Sequence, residues 1–195
     1  MIKNNIKKGN YLDILLRSDK TVFSTKEIAL LWRESSSPAF RNRLNDYVKK
    51  GKLIRLRKGL YSKEKNYDKF ELGVKVYNPS YISFETVLYK AGVIFQYYKK
   101  IFLASYLTRD IEVDNQKYSY HKIKDPVLTN KSGVQQKDNY SIASPERAFL
   151  DTVYLNKGYH FDNLSSIDWE KVFSILPVYN NKSMKKRVKK YQKNA

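Results

Sequence analysis

Apolar residues along this chain follow two rhythms. Tyr11, Leu12, Leu15 and Leu16 fall at helical spacing, as do Ile28, Leu31 and Trp32, and again Phe40, Leu44, Tyr47 and Val48. Ile54 and Leu56 then alternate with Arg55 and Arg57, a period of two that predicts a strand. Polar punctuation separates the runs. Ser24-Thr25-Lys26-Glu27 has capping-box spacing, with serine and glutamate each accepting from the other's backbone N–H. Ser37-Pro38 opens the third helix, because a hydroxyl caps free N–H groups and proline fits the first helical position. Gly51 ends that helix, Lys58-Gly59 marks a turn, and Leu60-Tyr61 begins a return strand. The predicted order is helix, helix, short polar turn, helix, hairpin.

That order is the pattern of a winged helix-turn-helix over residues 1–62. In such modules the third helix enters the major groove of DNA and the hairpin touches the backbone or minor groove. Arg41, Asn42 and Asn45 are the candidates for base-edge contacts, since their side chains make directional bonds there. Ser36 and Ser37 stand at the helix start, where hydroxyl and N–H groups meet phosphate. Lys49, Lys52, Arg55, Arg57 and Lys58 supply charge for the DNA backbone from the helix end and the wing.

Residues 63–78 read as a linker, with Phe70, Leu72, Val74 and Val76 in a short segment of either type and a break at Asn78-Pro79. Residues 79–195 are expected to form a mixed α+β C-terminal domain with a small antiparallel sheet. Ser80–Gly92 reads as a helix capped by Ser83, and Ile101–Tyr106 as a strand. Asp110–Val113 and Lys117–Ile123 form a hairpin across Asp114-Asn115, followed by loop over 124–139 and a strand at Tyr140–Ala143. Ser144-Pro145-Glu146 starts another helix, and Asp168 caps one ended by Pro177. A basic helix over Ser183–Lys193 has a thin seam of Met184, Val188 and Tyr191.

Charge strengthens the reading of the N-terminal part. The net charge is +19, unevenly placed. Residues 1–62 hold 15 basic and 5 acidic residues, 63–181 hold 16 and 14, and 182–195 hold 7 and none. A compositional drift toward lysine would not by itself leave the middle nearly neutral, so the segregation points to an electrostatic footprint for nucleic acid. The chain has no cysteine and only two distant histidines, His121 and His160, so no disulfide, metal or other cofactor is expected. No apolar run reaches membrane-spanning length and the opening residues lack a signal-peptide core, so a cytoplasmic protein is expected.

Catalytic constellations are weak, and no enzyme is expected. Asp110, Glu112 and Asp114 share one face of a predicted strand beside Lys117, but they run into a turn, where solvated charge is the default. Asp151 sits mid-helix, placed to pair with Arg147 one turn earlier, and Glu85 serves a helix dipole. Neither a phosphate-cradling glycine loop nor a local Ser/His/Asp signature is present. Tyr97-Tyr98 followed by Lys99-Lys100 is the best aromatic-basic cluster outside the first 62 residues. With the tail's Lys185, Lys186, Arg187, Lys189 and Lys190 it marks a candidate basic partner surface.

Three blocks carry a family resemblance: Gly51–Tyr61 (GKLIRLRKGLY), Tyr81–Ile94 (YISFETVLYKAGVI) and Ala143–Leu155 (ASPERAFLDTVYL). In order and spacing they resemble the AbiEi family, the antitoxins of type IV (AbiE-type) toxin–antitoxin and phage abortive-infection systems. The resemblance covers most of the chain. It implies a winged helix that binds inverted repeats in its own promoter, and a C-terminal domain that counters a nucleotidyltransferase-like toxin encoded nearby. The tail is more lysine-rich than in a typical member. Two other classes remain open on the residues alone: a stand-alone winged-helix regulator with a ligand-sensing second domain, and a nucleic-acid-processing nuclease.

Overall fold

The computed structural model describes residues 10–195; segment 1–9, on which the expectation of no leader partly rests, lies outside them. The architecture is mixed α+β. It divides into two compact units, the first ending at Leu72 and the second running from Gly73 to Ala195.

The first unit contains α1 (Asn10–Leu16), β1 (Val22–Ser24), α2 (Thr25–Leu31), α3 (Pro38–Lys49), β2 (Ile54–Arg57) and β3 (Leu60–Ser62). The capping box forms as its spacing predicts: the Glu27 N–H donates to the Ser24 hydroxyl at 3.2 Å and the Ser24 N–H to the Glu27 carboxylate at 2.8 Å. Strand β1 was not legible, being three residues long. It pairs with β3 in an antiparallel sheet of order β1-β3-β2, so the returning strand of the hairpin is central and fully buried. The segment after the hairpin that the sequence leaves open between helix and strand is helical: α4 (Lys69–Val76) occupies part of the expected linker, and the boundary between units falls within it. Its buried Glu71 accepts from Thr21 N at 2.8 Å, Thr21 Oγ1 at 2.7 Å and Val22 N at 3.2 Å, fixing the chain where β1 begins.

The second unit holds β4 (Ser80–Ile82), α5 (Glu85–Lys90), β5 (Ile101–Ser105), β6 (Arg109–Val113), β7 (Gln116–Lys122), α6 (Asp125–Leu128), β8 (Val134–Lys137), β9 (Tyr140–Ala143), α7 (Pro145–Leu155), α8 (Trp169–Ile175) and α9 (Lys182–Lys193). Its sheet corrects the expectation of a small antiparallel one. Six strands run in the order β6-β7-β5-β4-β9-β8, and the β4–β9 and β5–β7 pairings are parallel. Ser83 is not a helix cap: Ser80–Ile82 form a strand, α5 starts only at Glu85, and Phe84 at its N-cap makes no side-chain capping bond. Residues 124–139 are not all loop, since they include α6 and β8. Strand β8 is an edge whose Gln135, Gln136 and Lys137 are exposed, leaving no apolar alternation to read. The hairpin at Asp114-Asn115 forms with both residues at positive φ, the backbone that a two-residue turn of this kind requires.

Helix α7 is buried along most of its length because Ala148, Phe149 and Val153 face the core and its polar residues are also enclosed. Arg147 and Asp151 are both fully buried. Asp151 accepts from Arg147 Nε at 3.2 Å and from the hydroxyls of Ser83 at 2.7 Å, Tyr179 at 2.6 Å and Tyr81 at 3.0 Å. Arg147 also donates to the carbonyls of Ser132 at 2.8 Å and Val127 at 2.7 Å, and to the Tyr81 oxygen at 2.9 Å. Every partner of Asp151 donates, as an ionised, acceptor-only carboxylate demands. Burial pushes the Asp151 carboxyl above its ordinary value, while Arg147 and the hydroxyl donors pull against it. Burial likewise opposes the Arg147 charge, but Asp151 beside it holds the guanidinium above its usual range. Burial and the neighbouring carboxylate keep Tyr81 and Tyr179 well above the ordinary phenol value, so both remain protonated donors. The i,i+4 pair legible in the sequence is therefore the centre of a network joining α6, α7, β4 and the 3-10 turn at Leu176–Tyr179.

Candidate nucleic-acid interface

Helix α3 is held in place from its start. The Ser37 hydroxyl accepts from Phe40 N at 3.2 Å, and Pro38 occupies the first turn. Phe40 and Leu44 are buried, while Tyr47 and Val48 pack half-buried against the same core. At 3.6 residues per turn, Arg41, Asn42, Asn45 and Lys49 span an arc of roughly 100° whose centre lies about 120° round the helix from that apolar arc. All four are exposed.

The core beneath is aromatic. The Trp32 ring meets Tyr11 at 5.2 Å, Phe40 at 5.4 Å and Tyr47 at 5.9 Å, each edge-on, and its indole N–H donates to the Tyr11 carbonyl at 2.8 Å. A polar clamp overlies it. Arg43 donates to both oxygens of Glu34 at 2.6 and 2.7 Å, Tyr11 donates to the same carboxylate at 2.6 Å, and the guanidinium lies 4.1 Å from the Tyr11 ring centre. Arg43 belongs to the basic run of α3, yet its work is to fasten α3 to α1 and the α2–α3 turn. No local sequence signal distinguishes it from Arg41, since both border the apolar arc of α3.

Burial works against the Glu34 charge, but Tyr11 and Arg43 outweigh it and hold the carboxyl below its ordinary value. A depressed carboxyl stabilises the fold above its unfolded pKa, and that stabilisation is lost as pH falls through the folded pKa. The melting temperature of the wild-type chain is thus expected to exceed that of Glu34→Gln at neutral pH, with the gap closing as the pH drops below the ordinary glutamate range. A gap that stays constant across that range, followed by circular dichroism, would refute the assignment.

The hairpin continues directly from α3: Lys52 N and Leu53 N both donate to the Tyr47 carbonyl, and Leu53 plugs the core. In β2, Arg55 and Arg57 are exposed while Ile54 and Leu56 are half-buried, as the alternation predicts. A register shift between Arg55 and Arg57 marks a bulge opposite β3. Gly59, at φ +81°, makes the turn, and its carbonyl accepts from Thr25 N at 2.9 Å, tying the hairpin to the start of α2. Lys52 and Lys58 are exposed at the two ends of β2. Ser36 is exposed; Ser37 is half-buried, and its oxygen serves the cap while its proton stays available to donate.

No protein-family model matches this chain, and no curated protein matches it in sequence.

The other predicted residues scatter over the second unit. Lys99 is exposed, but Lys100 is half-buried, 3.6 Å from Asp110 and over the Phe102 ring. Lys185, Lys186, Lys189 and Lys190 are exposed on α9, whose Met184 and Val188 are buried. Arg187 departs from that set: its guanidinium turns inward to donate to the Val153 carbonyl at 3.0 Å, making it a fastener of α9 to α7. The acids of the hairpin do not converge. Asp110, Glu112 and Asp114 are exposed, Asp110 accepts from Ser119, and among the described residues no cluster of His, Cys, Asp or Glu is arranged to hold a metal. Also among the described residues, no helix is long and apolar enough to cross a membrane.

Proposed function

We propose that the protein is a cytoplasmic DNA-binding antitoxin and transcriptional autorepressor whose first unit is a winged helix-turn-helix. The observation that carries the DNA-binding half is the division of α3. Its apolar arc is sunk in an aromatic core and its other arc offers Arg41, Asn42, Asn45 and Lys49 to solvent, followed at once by a hairpin with outward Arg55 and Arg57. A rigidly anchored helix with exposed directional donors suits base reading, and arginines on a short hairpin suit phosphate contact. The antitoxin half rests on the resemblance to the AbiEi family. On that reading the partners are promoter DNA with inverted repeats and a nucleotidyltransferase-like toxin encoded nearby.

The test is binding of the full chain to its own promoter against random duplex. Arg41→Ala or Asn45→Ala is expected to weaken promoter binding by about 1–3 kcal/mol and to relax sequence preference. Arg57→Ala should weaken promoter and random DNA alike and reduce the salt slope by roughly one unit. Equal losses on both duplexes for every variant would remove the base-reading roles. Co-expression with the neighbouring toxin tests the other half: the full chain should restore growth, and so should the Arg41→Ala variant.

A further inference from the structure

Beyond duplex recognition, we infer that the second unit carries a separate binding surface for single-stranded nucleic acid, formed where the loop after α5 meets the loop after α7. In the first of these loops Phe95 and Tyr97 are 67% and 60% exposed and the adjoining Tyr98 is 41% exposed, a group of rings open to solvent rather than a lone one. Tyr97 lies edge-on to the half-exposed Tyr89, at 5.3 Å. The rings do not hang on a loose loop. Phe95 N donates to Asp162 Oδ2 at 2.7 Å, and the Val93 carbonyl accepts from Asp162 N at 3.0 Å.

The second loop leads from those bonds into a cavity of about 250 Å³ lined by Lys157, Tyr159, His160, Arg187, Lys190 and Tyr191 among others. That is the space of several water molecules at about 30 Å³ each, enough for a phosphate group. Its walls are well supported: Tyr191 donates to the Tyr159 carbonyl at 2.6 Å, and Tyr159 donates to Glu85 at 3.2 Å. The two acids bordering the region, Glu85 and Asp162, accept these internal bonds, while Lys157 and Lys190 remain exposed.

The chemistry selects the occupant. Exposed rings on one loop and a lysine-lined cavity on another, the two loops joined through Asp162, fit a chain that alternates flat bases with phosphates, because stacking needs unpaired bases and the cations track the backbone. A duplex hides its base faces, so it gains nothing from Phe95 and Tyr97. Exposed aromatic rings alone would suit a protein partner equally, but protein interfaces are depleted in lysine, so the pairing of the rings with Lys157 and Lys190 favours a nucleic-acid strand.

Fluorescence anisotropy of the full chain decides the matter, using labelled probes of about 12 nucleotides: RNA, DNA of the same sequence, and the matching duplex. The double variant Phe95→Ala/Tyr97→Ala should lose about tenfold or more in affinity for single strands and keep its duplex affinity. Lys157→Ala/Lys190→Ala should weaken single-strand binding and lower its salt slope by roughly one unit or more. The conservative Tyr97→Phe should bind as wild type. A preference for RNA or for DNA would each support the surface and name its strand. Single-strand affinity unchanged in both double variants, with their melting unaltered, would overturn it, as would equal losses on strand and duplex. Arg41→Ala should leave single-strand binding intact, so this inference and the promoter-binding reading fail separately.

Discussion

Asp151→Ala is expected to destabilise the second unit by about 3–5 kcal/mol, the cost of leaving a buried charge without its partner. Arg147 has no exposed surface and would keep its charge beside two carbonyls and a tyrosine oxygen. Its buried neighbours Tyr81, Ser83 and Tyr179 would each lose an acceptor. A loss of this size is a large fraction of the total stability of an ordinary domain. Urea unfolding followed by the emission of Trp169, which packs on Phe149, measures it in a Trp32→Phe background, where Trp169 is the one remaining indole. The pairwise share comes from a double-mutant cycle with Arg147→Met, because removing both charges leaves an apolar site and should cost less than the sum of the single changes. A single-variant loss below about 1 kcal/mol would mean that the network is not what holds α7 to the sheet.

Trp32→Ala is expected to cost the first unit about 3–5 kcal/mol. The indole touches Tyr11, Phe40 and Tyr47 and donates to the Tyr11 backbone, so it joins α1, the end of α2 and α3 at one point. Units of this size bury a smaller share of their surface than larger domains and have little stability in reserve. On the proposed DNA-binding reading, the variant should therefore lose promoter binding through loss of the α3 platform, whereas Arg41→Ala weakens it with the fold intact. Circular dichroism melting alongside the binding assay separates the two, and Trp32→Phe, which keeps the ring contacts but not the indole N–H, should fall between them. Wild-type promoter affinity in a Trp32→Ala chain with a lowered melting point would show that binding does not depend on how α3 is held.

Helix starts were the most legible features. Ser24 with Glu27, Ser37 with Pro38, Ser144 with Pro145, and Asp168 all cap as their local residues predict, because each cap is made within four residues of chain. The hairpins at Gly59 and at Asp114-Asn115 were legible for the same reason. Tyr81 and Ile82 show where that logic stops. They precede a helical pattern and read as part of it, yet β5 on one side and β9 on the other draw them into a strand. Strand pairing is decided by partners distant in sequence, and no local propensity outweighs them.

The candidate interface divides along the same line. Which face of α3 is polar follows from the sequence alone, since a period of 3.6 residues sorts Arg41, Asn42, Asn45 and Lys49 away from Phe40 and Leu44. That Arg43 and Arg187 are fasteners, while Arg41 and Lys190 face solvent, was decided only by the tertiary structure. Identical side chains take opposite roles according to whether a carboxylate or a carbonyl from another element stands within reach. Likewise, the sequence placed Arg147 and Asp151 one helical turn apart, but their full burial and their hydroxyl partners depend on β4 and the 3-10 turn folding over them. Local chemistry determined the caps, turns and polar faces of this protein, and long-range packing decided which of its charges are structural.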